Sequence, residues 1–231
     1  MTRNSNQKIL QFNFKNISRY INKSTLKNTL YFSGGIILFM IGVIVYGIVL
    51  NLRDVPLAEA MRAKGFTKLE NINIIIDRKT YTLALYEDTV LIKSYRASFG
   101  KNINTPKSRA GDDATPVGDY QICSVDTASK YHKFLQLNYP NIHDSMEGLR
   151  MGWISQRTFD NLKFEFYHEG CIDSNTPLGG HIGIQGIGEY NSIFKNLPFV
   201  YNWTDGSIAV SNEDIDEISS VIKEGTKVVI K

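Results

Sequence analysis

Apolar positions change their period along this chain, and each change predicts an element. From Tyr31 to Leu50 twenty consecutive residues carry no charge, the length a helix needs to cross about 30 Å of hydrocarbon. This predicts a transmembrane helix over residues 31–50. Pro56 and Gly65 then bracket an Ala-rich stretch, a short helix within a juxtamembrane linker over 51–70 whose expected role is spacing. From Asn71 the period drops to two. Strands are predicted over Asn71–Asp77, Thr80–Tyr86 and Val90–Phe99, with Glu87-Asp88 as a turn. Gly100–Gly118, rich in Gly, Pro, Ser, Thr and Asp, reads as a long surface loop, and loops of that length in compact domains often carry function.

Strand character returns over Asp119–Val125 and Phe134–Tyr139. Residues 142–178 are less regular, with a helix over Ser155–Leu162 and a mixed aromatic and acidic stretch over Phe164–Cys171. Gly180–Gln185 alternates, which sets Ile182 and Ile184 on one face and His181, Gly183 and Gln185 on the other. Ser207–Ser211 reads as a short strand. Ser211 then caps a helix bearing Ile215, Ile218 and Ile222, stopped at Gly225 before a last strand over Thr226–Ile230. The sum is a mainly β, mainly antiparallel domain with a few short helices, over residues 71–231.

Charge adds a direction to the predicted span. Arg3, Lys8, Lys15, Arg19, Lys23 and Lys27, with no Asp or Glu, put +6 into residues 1–30 of a chain whose net charge is +3, so the remainder stands at −3. By the positive-inside rule the basic leader over 1–30 stays in the cytoplasm and everything after Leu50 lies outside, a single-pass topology in a cytoplasmic membrane. Phe12, Phe14, Ile17 and Ile21 offer the leader a second role, as the apolar side of a helix resting on anionic lipid. A folded part at −3 argues against a nucleic-acid partner. Cys123 and Cys171 are too few for a disulfide framework; one bridge and two separate thiols are both open.

The candidate chemistry sits in Trp203-Thr204-Asp205-Gly206-Ser207-Ile208-Ala209-Val210-Ser211-Asn212. Together with Ile74–Asp77, Tyr81–Tyr86, Ile92–Lys101, Thr115–Ile122, Tyr131–Asn141 and the glycine-pair strand Gly179–Gly186, in that order, this stretch resembles the YkuD-type L,D-transpeptidase catalytic domain. The resemblance covers roughly residues 70–231 and is to the subclass whose site reads Trp-Thr-Asp-Gly-Cys-Ile-Ala-Val-Ser-Asn. It implies a β-sandwich or barrel fold, peptidoglycan stem peptides as substrate, no cofactor, and a location on the outer side of a bacterial membrane. It also implies a cysteine thiolate that attacks a stem-peptide amide, a histidine that takes the thiol proton, and backbone N–H groups that hold the oxyanion.

Carried over residue by residue, the nucleophile position falls on Ser207 and the base position on Gln185. Gly206 precedes the nucleophile, Gly186 follows the base, Thr204 belongs to the motif, and Asp205 stands where many members have a second histidine. A serine hydroxyl needs a base more than a thiol does, and a carboxamide takes no proton near neutral pH. Losing a nucleophile and base that act as a unit costs on the order of 10⁶ in rate. The family's acyl transfer through Ser207 and Gln185 is thus chemically disfavoured, and a pseudoenzyme that keeps the groove for binding is the alternative.

Spacing limits which other residues can stand in for the missing groups. His181 shares the face of Gln185, but four residues of strand set them about 13 Å apart. His168-Glu169-Gly170-Cys171 echoes the family's His-Gly-Cys, with Cys171 as a migrated nucleophile and His168 or His181 as its base; the alternative is a semi-buried cysteine in an irregular insertion. His132 is expected to be structural or to line the groove, and His143 to be an exposed loop residue. His168, Glu169, Cys171 and His181 are metal-ligand types, but their spacing matches no metal-site pattern.

Overall fold

A computed structural model describes residues 22–51, 54–172, 176–197 and 199–231. Phe12, Phe14, Ile17 and Ile21, on which a lipid-resting leader depended, lie outside the described residues. The chain divides into two units, residues 1–46 and 47–231. Helix α1 (Lys23–Asn51) contains the predicted span, and over Lys23–Val49 it is long and apolar enough to cross a membrane.

The folded unit is built on a curled sheet of β1 (Ile72–Asp77), β2 (Thr82–Glu87), β3 (Val90–Arg96), β4 (Gly118–Asp126), β5 (Phe134–Leu137), β6 (Gly183–Gln185), β7 (Ile208–Ala209) and β8 (Lys227–Ile230). Their spatial order is β3-β2-β1-β8-β4-β5-β6-β7. The sheet is mixed, since β1 pairs with β8 and β6 with β7 in parallel. Its two outer strands meet. Just beyond β3, Ser98 exchanges both backbone hydrogen bonds with Ala209 of β7 at 2.8 Å, Thr204 N–H donates to Phe99 C=O, and Lys101 N–H donates to Thr204 C=O. The curl therefore closes through the candidate site stretch.

Alternation places Ile74, Ile76, Leu83, Leu85, Leu135, Leu137, Ile184 and Ile208 in the core with no exposed surface. Helix α6 (Asn212–Val221) covers the sheet with Ile215 and Ile218, and Ser211 Oγ accepts from the Asp214 amide as its N-cap. The linker proves to be more than a spacer. Helix α2 (Leu57–Ala63) begins after Pro56, and Leu57 and Leu69 are buried in the main core with Met61 and Phe66 against it.

Residues 142–178 hold two helices that periodicity left undrawn or short. Helix α3 (Ile142–Arg150) starts in a capping box between Asn141 and Asp144. Helix α4 (Gln156–His168) continues through the aromatic and acidic stretch expected to be irregular. They enclose a smaller core of Ile154, Leu162, Ile172 and Leu178. His143 sits exposed in α3 rather than in a loop. A disulfide joins Cys123 of β4 to Cys171, just past α4.

Candidate functional site

Strand pairing brings the two predicted positions together. Register sets Ile184 opposite Ile208 and Gln185 opposite Ala209, so Ser207 stands beside Gly183, and Gln185 lies two residues, about 7 Å, further along the same face. Gly183 N–H donates to Ser207 Oγ at 3.3 Å. Both side chains are buried and line one groove of about 620 Å³, whose walls include Lys101, Lys130, Tyr131, His181, Trp203 and Asp205.

The turn before β7 is braced locally. Thr204 Oγ1 donates to Ser207 C=O at 2.6 Å and accepts from Gly206 N–H at 3.3 Å, a hydroxyl turn of the kind Thr offers beside a glycine. Gly206 has φ +127°, and a Cβ there would meet Ala114 C=O at 2.8 Å. Gly186 is packed as closely: a Cβ would lie 2.5 Å from Tyr131 C=O and 2.8 Å from Asn212 Oδ1. Asn212 in turn accepts from Gly188 N–H and donates to Gly188 C=O, tying the start of α6 to the chain leaving β6.

Charge at the rim is set by the loop over 100–118. Lys101 Nζ lies 2.6 Å from Asp205 and 3.6 Å from Asp113, and the Asp205 hydrogen bond is the main cause that raises the Lys101 pKa. Asp205 thus has an ion-pair partner at the groove mouth. Behind it Lys107 and Asp112 form a buried pair at 2.6 Å. Burial opposes charge on Asp112, but Lys107 and the amides of Ser108, Arg109 and Ala114 outweigh it and hold the carboxyl below its ordinary range.

Other predicted residues are placed elsewhere. Cys171 is bonded to Cys123, so its sulfur is not a thiolate, and the migrated-nucleophile reading is overturned. His168 ends α4 with its ring 4.3 Å from that of Phe164, outside the groove lining. His132 bonds Asp216 of α6 through Nε2 at 3.0 Å, a structural contact and not a groove wall. His181 does line the groove, but from a residue with φ +52° ahead of β6, so the strand alternation that set it on the face of Gln185 does not extend to it. Among the described residues no group of three metal-ligating side chains is gathered. Lys101, Tyr131, Trp203 and Asn212 lie within the motif stretches, which by themselves assign them no role. Lys101 is brought to the groove by the bridge between Gly100 and Thr204, a pairing visible only in the fold.

The family model for YkuD, the L,D-transpeptidase catalytic domain, matches residues 71–230. The chain belongs to that family. Solved structures similar to this L,D-transpeptidase domain include an L,D-transpeptidase from Xylanimonas cellulosilytica, at 16% identity and TM-score 0.40 over 77% of this chain and 70% of that one. Bd1075 from Bdellovibrio bacteriovorus matches at 20% identity and TM-score 0.44, over 71% of this chain and 48% of that one. The helical cell shape determining protein Pgp2 from Campylobacter jejuni, as its K307A mutant, matches at 17% identity and TM-score 0.47, over 71% and 47%. The chain thus spans about half the length of the latter two proteins. Among curated proteins none matches the chain significantly.

Proposed function

We propose that this is a membrane-anchored L,D-transpeptidase-family protein whose groove engages peptidoglycan stem peptides outside the cytoplasmic membrane, and does so without the family's thiolate chemistry. The anchor is α1, over residues 31–50, with Lys23, Lys27 and the basic residues before them retained inside. What supports binding over turnover is the pair on the groove floor. Ser207 Oγ accepts a hydrogen bond from the Gly183 amide, and the neighbouring family base position holds the carboxamide of Gln185.

In the family's reaction a thiolate adds to the amide carbonyl, the leaving amine takes a proton from the histidine, and a second amine or water then resolves the thioester. A seryl hydroxyl has to lose its proton as it attacks, and Gln185 takes none. Gln185 offers instead an N–H donor and a carbonyl acceptor toward a peptide backbone. A second reading, acyl transfer through an unconventionally assisted Ser207, draws its support from His181, which lines the same groove.

The test uses the full chain in detergent with a purified stem tetrapeptide, followed by calorimetry and by mass spectrometry of the peptide, beside Ser207→Ala. Binding with an unaltered peptide mass is expected from both proteins. Product formed by the unaltered chain and lost in Ser207→Ala would establish acyl transfer instead. Failure to bind would remove the groove as a peptide site.

A further inference from the structure

Between β6 and β7 the chain makes a long excursion that turns large apolar side chains outward. Tyr190 is 62% exposed, Ile193 60%, Phe199 57% and Tyr201 57%. Ile193 belongs to α5 (Asn191–Phe194). Behind them a row of rings runs inward. Phe194 stacks on Tyr201 at 6.4 Å and on Trp203 at 6.1 Å, and Trp203 meets Tyr131 at 6.1 Å. A cluster of this size on a folded surface marks contact with something apolar.

Its place on the domain says what that is. Phe194, Leu197, Phe199 and Tyr201 wall a cavity of about 180 Å³ together with Asp54, and Arg96 Nη2 donates to Phe199 C=O at 2.7 Å. Asp54 is fixed there by the buried Lys93 at 3.1 Å. The exposed Phe199 and Tyr201 therefore stand beside Asp54, close in the chain to the end of the apolar helix. Asp54 follows Asn51, the end of the apolar helix, by three residues, a tether of at most about 11 Å when fully extended. The inner end of the row reaches the site. Tyr131, Trp203 and Lys130 line both the groove and an adjoining aromatic hollow that Tyr190 and Phe194 complete.

We infer that the excursion over residues 188–201 rests in the headgroup zone of the lipid bilayer that α1 crosses, so that the groove opens at the lipid surface. Tyr at the headgroup level with Ile and Phe toward the acyl chains is the arrangement that interfacial segments adopt. The inference rests on the membrane anchor proposed above. It narrows the substrate to stem peptides presented at the membrane surface.

The test reconstitutes the full chain in vesicles of phosphatidylethanolamine and phosphatidylglycerol. An environment-sensitive fluorophore is attached through Ile193→Cys or, as the comparison, through Glu224→Cys, an exposed position beyond the far end of α6. Quenching by brominated acyl chains is read for both, and retention after alkaline carbonate reports whether the chain is integrated. Quenching at 193 several-fold above that at 224, lost when Phe199 and Tyr201 are both changed to Ser, is the expected result. Integrated protein with equal quenching at the two positions, or none at either, overturns the inference and leaves the anchor standing. Release of the chain by carbonate overturns the anchor and the inference together.

Discussion

Gly183 N–H points at Ser207 Oγ across 3.3 Å, so one lone pair of the hydroxyl is already engaged from the neighbouring strand. A donor at that position stabilises an oxygen that stays put and weakens it as an attacking group. A larger, more weakly accepting sulfur at the same place would be held less. Ser207→Cys alone therefore restores a nucleophile without a proton acceptor, and Gln185→His alone the reverse. The double variant is expected to turn over stem tetrapeptide at least about 10² faster than either single one, the usual contribution of a positioned base. Peptide mass spectrometry at fixed enzyme concentration measures it. Equal rates for Ser207→Cys and the double variant would show that position 185 supplies no base.

Gly206→Ala probes the turn without touching a side chain in the groove. The left-handed φ of +127° and the 2.8 Å approach to Ala114 C=O both oppose a Cβ. A destabilisation of about 1–3 kcal/mol is expected, read as a lowered melting temperature. Peptide binding should weaken with it, because Thr204 and Ser207 are held through the same turn.

The folded core was legible because strand alternation and burial coincide: Ile74, Ile76, Leu83 and Leu85 follow a period that only a half-buried strand satisfies. The stretches that carry Ser207 and Gln185 were legible through motif order, and strand pairing sets both residues in one groove. What escaped was placed by tertiary contacts. His181 lies in an alternating run, but its positive φ breaks the strand before Gly183. Phe164–His168 shows no clean apolar face, and the helix is held from Ser155 at one end and the small core around Leu162. The closeness of Cys123 and Cys171 is a tertiary contact between β4 and the chain just past α4, which a separation of 48 positions does not disclose.

Asp214 gives the stability a pH dependence that can be isolated. Burial, joined by Asp54 and Glu217, lifts its carboxyl to about 6 against the opposing Ser211 hydrogen bond and Lys93. A carboxyl raised in the native state favours the protonated fold. Its contribution is fully present below the ordinary value of 3.8 and is lost as pH rises through about 6. Asp214→Asn should therefore raise the melting temperature at pH 7.5 by the equivalent of about 2 kcal/mol, the cost of charging the buried carboxyl tempered by its partial exposure. The difference should vanish below about pH 4, where both forms are neutral. Thermal melts across that range decide it, and a constant difference would refute the assignment.

Paired replacement of Cys123 and Cys171 by Ser separates scaffold from chemistry. A bridge between positions 48 apart in the chain contributes about 4 kcal/mol in the chain-entropy account. A corresponding fall in thermal stability is expected with stem-peptide binding retained at temperatures where the variant is folded. Loss of binding without loss of stability would reinstate Cys171 as a functional group.

The bonds that join the two outer strands run through the main chain of Ser98, Phe99, Lys101, Thr204 and Ala209. Residues 204–209 are accordingly the seam of a closed cylinder, and a seam is indifferent to what projects from it. The hydroxyl at 207 and the carboxamide at 185 can be exchanged for other groups of similar size with every stitch left in place. The same architecture lets a receptor and a catalyst differ by two side chains.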